Sequence, residues 1–213
     1  MRNWFIPTAL SFACSLQAAP PQRVEIAYNV MRNGATMGEI TGRLEHDGRH
    51  YRLEEWWKGK GVYALRGEAR RVSRGAVAAD GLRPSEFEER RPGREPRRIT
   101  FDPATANSAS PQQDRLSCIW NFAFVPPRAE TVVVVADAKG VSTHVYLPAG
   151  RERIRVSAGE FDALKLVRKR ERPDERATEI WLAADRSYLP LRILVTDKDG
   201  TRLDQVAVRI AVQ

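Results

Sequence analysis

The chain has 213 residues, a formal net charge of +8 and two cysteines. Its length suits one domain with a real hydrophobic core, and no linker, fixed-period repeat, low-complexity tract or second apolar span divides it. Of the 35 basic residues only six are lysines (58, 60, 139, 165, 169, 198); the arginine excess reads first as genomic composition and a solvated surface, although it also favours anionic surfaces such as phospholipid head groups or lipopolysaccharide.

At the N-terminus Arg2 precedes an apolar stretch from Trp4 to Ala13, then Ser15-Leu16-Gln17-Ala18-Ala19 and Pro20-Pro21. That order is the order of a secretory signal peptide, residues 1–18, cleaved after Ala18. The apolar run falls short of the ~20 residues that span a bilayer. Cys14 supports a second reading, a lipoprotein signal, in which an acyl chain anchors the protein to a membrane. Ala13 suits that reading, but Leu three residues before the cysteine is missing. Cleavage after Ala18 removes Cys14 and leaves residues 19–213 as a single β-rich domain. Cys118 then stands alone, which excludes an intramolecular disulfide and points to a buried, inert thiol. Export implies a periplasmic location and disfavours nucleic acid as a partner.

Most of the mature chain alternates with period two between turn residues, the pattern of antiparallel sheet. Strands are expected at 23–32, 37–46 and 49–57, with Asn33-Gly34 and Asp47-Gly48 turning between them. After a short stretch at 62–65 come strands at 68–78, 85–91 and 97–101. One helix follows, at about 111–125. Ser110 is its expected N-cap, with Pro111 at the first position, Gln113 closing a capping box and Pro126-Pro127 ending it. Leu116, Cys118, Ile119, Trp120, Phe122, Ala123 and Phe124 make it apolar nearly all round, so it is expected to be buried. At 1.5 Å per residue it would span about 20 Å, enough to cross the hollow of a curved sheet. Strands resume at 131–135, 141–147, 151–156, 161–170, 178–182, 189–196 and 202–212. The expected architecture is mainly β: a curved antiparallel sheet or partly open β-barrel of about 12 strands around one buried helix.

Several segments in this order resemble a family known only as domain of unknown function 3108. They are Val24-Glu25-Ile26-Ala27-Tyr28-Asn29-Val30 with Asn33-Gly34 and Gly38-Glu39, Gly81-Leu82-Arg83-Pro84-Ser85-Glu86-Phe87, and Asp114-Arg115-Leu116-Ser117 leading to Trp120. Ala158-Gly159-Glu160-Phe161-Asp162-Ala163-Leu164, Glu179-Ile180-Trp181-Leu182-Ala183 and Tyr188-Leu189-Pro190-Leu191-Arg192 complete the set. The resemblance spans nearly the whole mature chain. It implies an exported protein of a Gram-negative envelope and a β-rich fold, and it brings no activity and no functional residue.

Chemistry-bearing clusters are sparse. No nucleophile elbow, P-loop or dinucleotide fingerprint is present, and no cofactor is implied. His46 and His50 flank a turn at Asp47, which reads as surface and not as a metal site. Glu86, Glu88 and Glu89 and the pair Glu54-Glu55 interleave with Arg70, Arg71, Arg90 and Arg91, which favours cross-strand ion pairs over paired-carboxylate catalysis. Arg151, Arg153 and Arg155 line one strand face as a candidate anionic-surface ribbon, which Lys165 and Lys169 would extend. Trp56, Phe87, Trp120, Phe124 and Trp181 are the candidate lining of a cavity between sheet and helix. The leading expectation is a non-catalytic envelope protein that binds a hydrophobic or amphiphilic ligand, such as a lipid, in that cavity. The alternative is a scaffold that binds an envelope protein partner through a sheet edge or the basic face, and an enzyme with a dispersed site ranks third.

Overall fold

A computed structural model of the chain describes residues 20–102 and 111–213. The expected signal peptide, Cys14 and the Ser110 cap lie outside these residues. Six strands form an N-terminal meander: β1 (Arg23–Arg32), β2 (Ala35–His46), β3 (His50–Gly59), β4 (Glu68–Ala78), β5 (Gly81–Arg90) and β6 (Arg97–Thr100). Seven follow: β7 (Gln112–Gln113), β8 (Thr131–Asp137), β9 (Gly140–Val156), β10 (Gly159–Arg168), β11 (Ala177–Ala183), β12 (Leu189–Thr196) and β13 (Arg202–Val212). All join one sheet in the order β6-β5-β4-β3-β2-β1-β13-β12-β11-β10-β9-β8-β7. Every neighbouring pair is antiparallel except β7 and β8, which run parallel.

The first and last strands therefore meet in the middle of the sheet. Each half is a meander built outward from the β1–β13 seam, so nearly every pairing is a short hairpin. Tyr28 reinforces the seam, reaching past β13 to donate its hydroxyl to the Pro190 carbonyl on β12 at 2.9 Å. The expected break between strands 141–147 and 151–156 is absent. Opposite Arg151 and Pro148 the register on β10 shifts between Leu164 and Leu166, a bulge that carries β9 through as one 17-residue strand. The sheet is curved and open, because among the described residues no strand ladder joins β6 to β7.

The helix is real but much shorter than 111–125. Gln112 and Gln113 extend the sheet beside Val134 and Val135, α1 spans only Ser117–Trp120, and a 3-10 turn covers Asn121–Ala123. Its start is set by Asp114. One Asp114 carboxylate oxygen accepts from the Leu116 and Ser117 amides at 2.8 and 2.9 Å, while Ser117 Oγ accepts from the Asp114 amide at 2.9 Å. This is a capping box displaced from the expected Ser110 position. The other Asp114 oxygen accepts from Ser73 Oγ on β4 at 2.5 Å, and Ser73 in turn bonds Tyr51 on β3 at 2.9 Å. The cap thus ties the helical segment to the N-terminal meander.

The helical segment fills the hollow. Leu116, Trp120 and Ala123 pack with Val24, Ile26, Tyr28, Leu44, Leu53, Leu82 and Phe87 in the first cluster. Cys118 and Phe122 pack in a second with Val133, Val135, Tyr146, Leu164, Leu166, Ile180 and Leu182. Burial on both faces is what the all-round apolar pattern demanded. Close approach at Gly42 lets this happen, since a Cβ there would stand 3.1 Å from the Trp120 ring.

Burial pushes the Asp114 carboxyl above its ordinary 3.8, against the opposing hydrogen bonds from Ser73, Ser117 and Leu116. Asp114→Ala orphans three buried donors, and we predict a loss of about 3 kcal/mol in urea unfolding. Asp114→Asn keeps the two backbone acceptor bonds and should lose less than half of that; equal losses would show that the cap does not organise the segment.

Candidate functional site

The candidate cavity residues separate into three places. Phe87, Trp120 and Phe124 come together in the first cluster, with Phe124 edge-on to His46 at 5.2 Å. Trp56 does not join them. It alternates with the core residues of β3, Leu53 and Trp57, and lies on the outer face between Arg43 and Arg70, whose guanidinium carbons stand 5.5 and 5.7 Å from its ring. Trp181 is buried in a third cluster with Phe161, Ala163, Ala183, Leu191 and Leu194. Lys165 and Arg192 stand 4.8 and 4.9 Å from its ring, and its indole N–H donates to Glu152 at 2.5 Å. Both tryptophans sit on strand faces opposite the helix, which an aromatic count without register does not reveal.

Sequence reasoning missed the polar group at the place where the two ends of the sheet approach each other. Gln113 Nε2 donates to the Leu82 carbonyl at 2.8 Å, and the Leu82 amide donates to Asn121 Oδ1 at 2.7 Å. Two side chains, Gln113 from β7 and Asn121 from the helical segment, thus occupy the backbone groups of β5 that a further strand would take. Gln113 is buried, and its Oε1 has no hydrogen-bond partner among the described residues. A glutamine just ahead of a helix carries no sequence signal for this role, because the partner is backbone 31 residues away.

Around this core the charged residues form cross-strand ladders. Glu54 takes Arg52 and Arg70, Glu86 takes Arg74 and Arg98, and Glu88 takes Arg90 and Arg98. On the other face Arg71 bridges Glu55 at 2.6 Å and Glu89 at 2.8 Å, and Arg91 also reaches Glu89. Glu25 is held between Arg43 and Arg209. The carboxylates considered for catalysis are thus each engaged by arginine.

The arginine ribbon on β9 is also partnered. Arg155 is paired with Glu160, Arg153 stands 4.0 Å from Glu160 and Asp162, and Arg151 donates to the Tyr188 hydroxyl at 3.2 Å. Lys165 pairs with Glu179 over the Trp181 face and does not extend the ribbon. His46 Nε2 lies 3.0 Å from the Pro20 carbonyl, and His50 Nδ1 lies 3.6 Å from Asp47. Among the described residues no three His, Cys, Asp or Glu side chains converge as a metal site, and no helix is long and apolar enough to cross a membrane. Cys118 is buried, and burial raises its thiol pKa far above the ordinary 9.0. The surface clefts differ in kind from an apolar cavity. One, of about 260 Å³, is lined by Arg23, Glu25, Arg43, Glu45 and Arg209, and another by Arg70, Arg74, Glu88 and Arg90.

The ladders predict the response to acid. Hydrogen bonds from Arg43 and Arg209 lower Glu25, that from Arg90 lowers Glu88, and that from Arg115 lowers Asp137. Burial pushes Glu89 up, but Arg71 and Arg91 together bring it below its ordinary 4.5. A carboxylate lowered on folding stabilises above its unfolded pKa, and that contribution vanishes as pH falls through the folded value. Asp114, which is raised, works in the opposite sense: its contribution is complete below 3.8 and lost as pH rises through the folded value. Backbone amides also lower Asp47 and Asp199, and these six groups against Asp114 predict a urea midpoint that falls steadily below pH 4.5. A midpoint unchanged down to about pH 3 would mean that the ladders contribute nothing to stability.

Comparison with known proteins agrees with this architecture. The fold is similar to a β-barrel-like protein of domain of unknown function DUF1849 from Brucella abortus, with a TM-score of 0.52 at 6% identity over 91% of this chain and 99% of that one. It is more distantly similar to the Pseudomonas aeruginosa MucA/MucB complex structure, with a TM-score of 0.37 at 16% identity over 90% of this chain and 52% of that one. No curated protein matches the sequence. Residues 23–206 match the family described as a protein of unknown function (DUF3108), and the chain belongs to that family.

Proposed function

We propose that the protein is a non-catalytic binding protein of the cell envelope that takes a hydrophobic or amphiphilic ligand between the two ends of its sheet. The observation that carries this reading is the junction of β5 with the helical segment. Backbone ladders hold every other neighbouring pair of strands, but here the closure is made by the Gln113 and Asn121 side chains. Behind it lie Leu82, Phe87, Leu116, Trp120 and half-buried Phe124. Side-chain hydrogen bonds, linking Gln113 and Asn121 to Leu82 and Ser73 to Asp114, stand here in place of a strand ladder, which supports this junction as the point of ligand entry. An apolar ligand segment replaces the helical segment's contacts with the core. Gln113 Oε1, which has no hydrogen-bond partner among the described residues, accepts from a hydroxyl or amine of the head group. The ladders that engage Glu54, Glu86, Glu88 and Glu89 leave those groups structural, which supports a binding role.

A second reading is a protein partner that adds a strand to β6, favoured by the position of this four-residue strand at the end of the sheet.

Native mass spectrometry of the protein isolated from its own envelope, followed by organic extraction, tests the first reading. A reproducible lipid-sized adduct is expected, and Gln113→Ala should exchange it faster while losing about 1 kcal/mol of stability. A clean apo mass that persists after incubation with the total envelope lipid extract would overturn the ligand reading, and a stoichiometric protein adduct would favour the second.

A further inference from the structure

The turn between β3 and β4 carries the two most exposed large hydrophobic side chains among the described residues. Residues Gly61–Arg66 form a 3-10 turn in which Val62 is 78% and Leu65 92% exposed. The backbone beneath them is firmly placed. Lys60 donates its amide to Met37 at 3.0 Å, Tyr63 to Lys60 at 3.0 Å, and Gly67 to Ala64 at 3.1 Å. At Gly59 the chain passes so close that a Cβ would stand 2.1 Å from the Tyr63 carbonyl, so this position admits only glycine. An exposed leucine on an anchored turn is not a consequence of a loop left without contacts.

The surroundings of this tip are basic. The β5–β6 turn lies against it, since a Cβ on Gly67 would stand 2.6 Å from Pro92. Across residues 60–67 and 91–97 the chain carries Lys60, Arg66, Arg91, Arg94 and Arg97 against the single carboxylate Glu95. Lys60 is paired with Glu39, Arg91 with Glu89, and the neighbouring Lys58 with Glu68, while Arg94 and Arg97 are exposed. Two projecting aliphatic side chains on a tip that also carries the exposed Arg94 and Arg97 match the interface of an anionic bilayer, whose acyl boundary accepts the former and whose phosphates accept the latter.

From this juxtaposition we infer that the tip formed by residues 60–67 and 91–97 docks the protein on an anionic lipid bilayer, with Val62 and Leu65 entering the interface. The docking stands independently of the ligand reading, because neither residue belongs to the core behind the junction.

Leu65→Cys labelled with an environment-sensitive nitrobenzoxadiazole dye provides the test, with Val212→Cys as the control site. Cys118 is buried and does not compete for the label. Vesicles of phosphatidylglycerol and phosphatidylethanolamine should raise and blue-shift emission from position 65 alone, salt should reverse the change, and phosphatidylcholine vesicles should give none. In co-sedimentation, the double variant Val62→Asp, Leu65→Asp should partition about ten-fold more weakly or less, at unchanged unfolding temperature. An unresponsive dye at position 65, an equal response at position 212, or undiminished partitioning of the double variant would overturn the inference.

Discussion

The Asp114 carboxylate, enclosed without access to water, accepts hydrogen bonds from Ser73 on one half of the sheet and from the amides that open α1. A buried carboxyl group is tolerated only when its hydrogen-bonding capacity is used, and here it is used by groups from β4 and the helical segment at once. That requirement fixes where the helical segment sits. Once Asp114 is placed, Trp120 must lie over Gly42 and Phe122 must face the C-terminal strands. The two apolar clusters then form on opposite sides of the same short segment.

The sheet itself needs little from long-range chance. Its hairpins are local, and only the β1–β13 seam and the β7–β8 pair join segments far apart in sequence or in parallel. Curvature brings the ends toward each other, and among the described residues no ladder joins β6 to β7. Among the described residues Gln113 and Asn121 occupy part of the gap with side chains in place of a strand, whereas the β1–β13 seam is closed by a backbone ladder. The proposed ligand entry is placed at the gap for that physical reason, and the arginine–glutamate ladders pair residues across neighbouring strands.

The period-two alternation, the Asn-Gly and Asp-Gly turns and the all-round apolar stretch near Trp120 made the strands and the buried helical segment legible from sequence. Less legible was the helix boundary. Ser110, Pro111 and Gln113 satisfy a capping pattern, yet the pairing of Gln112 and Gln113 with Val134 and Val135 and the bonding of Gln113 to Leu82 outweigh local preference. The expected break between the strands at 141–147 and 151–156 is likewise absorbed by a bulge opposite Leu164 and Leu166.

By itself the sequence determined the class of fold, the ion-pair chemistry of its glutamates and the family, because each rests on residue type and spacing along the chain. Only the tertiary structure decided which aromatics meet. Trp56 and Trp181 look equivalent to Trp120 in composition, but strand register turns them to the other faces, where arginine and lysine cover them. It also decided that Gln113 and Asn121 close the junction and that Leu65 projects into solvent. Those facts depend on backbone groups and turns brought together across the sheet, and no local pattern in the chain encodes such distances.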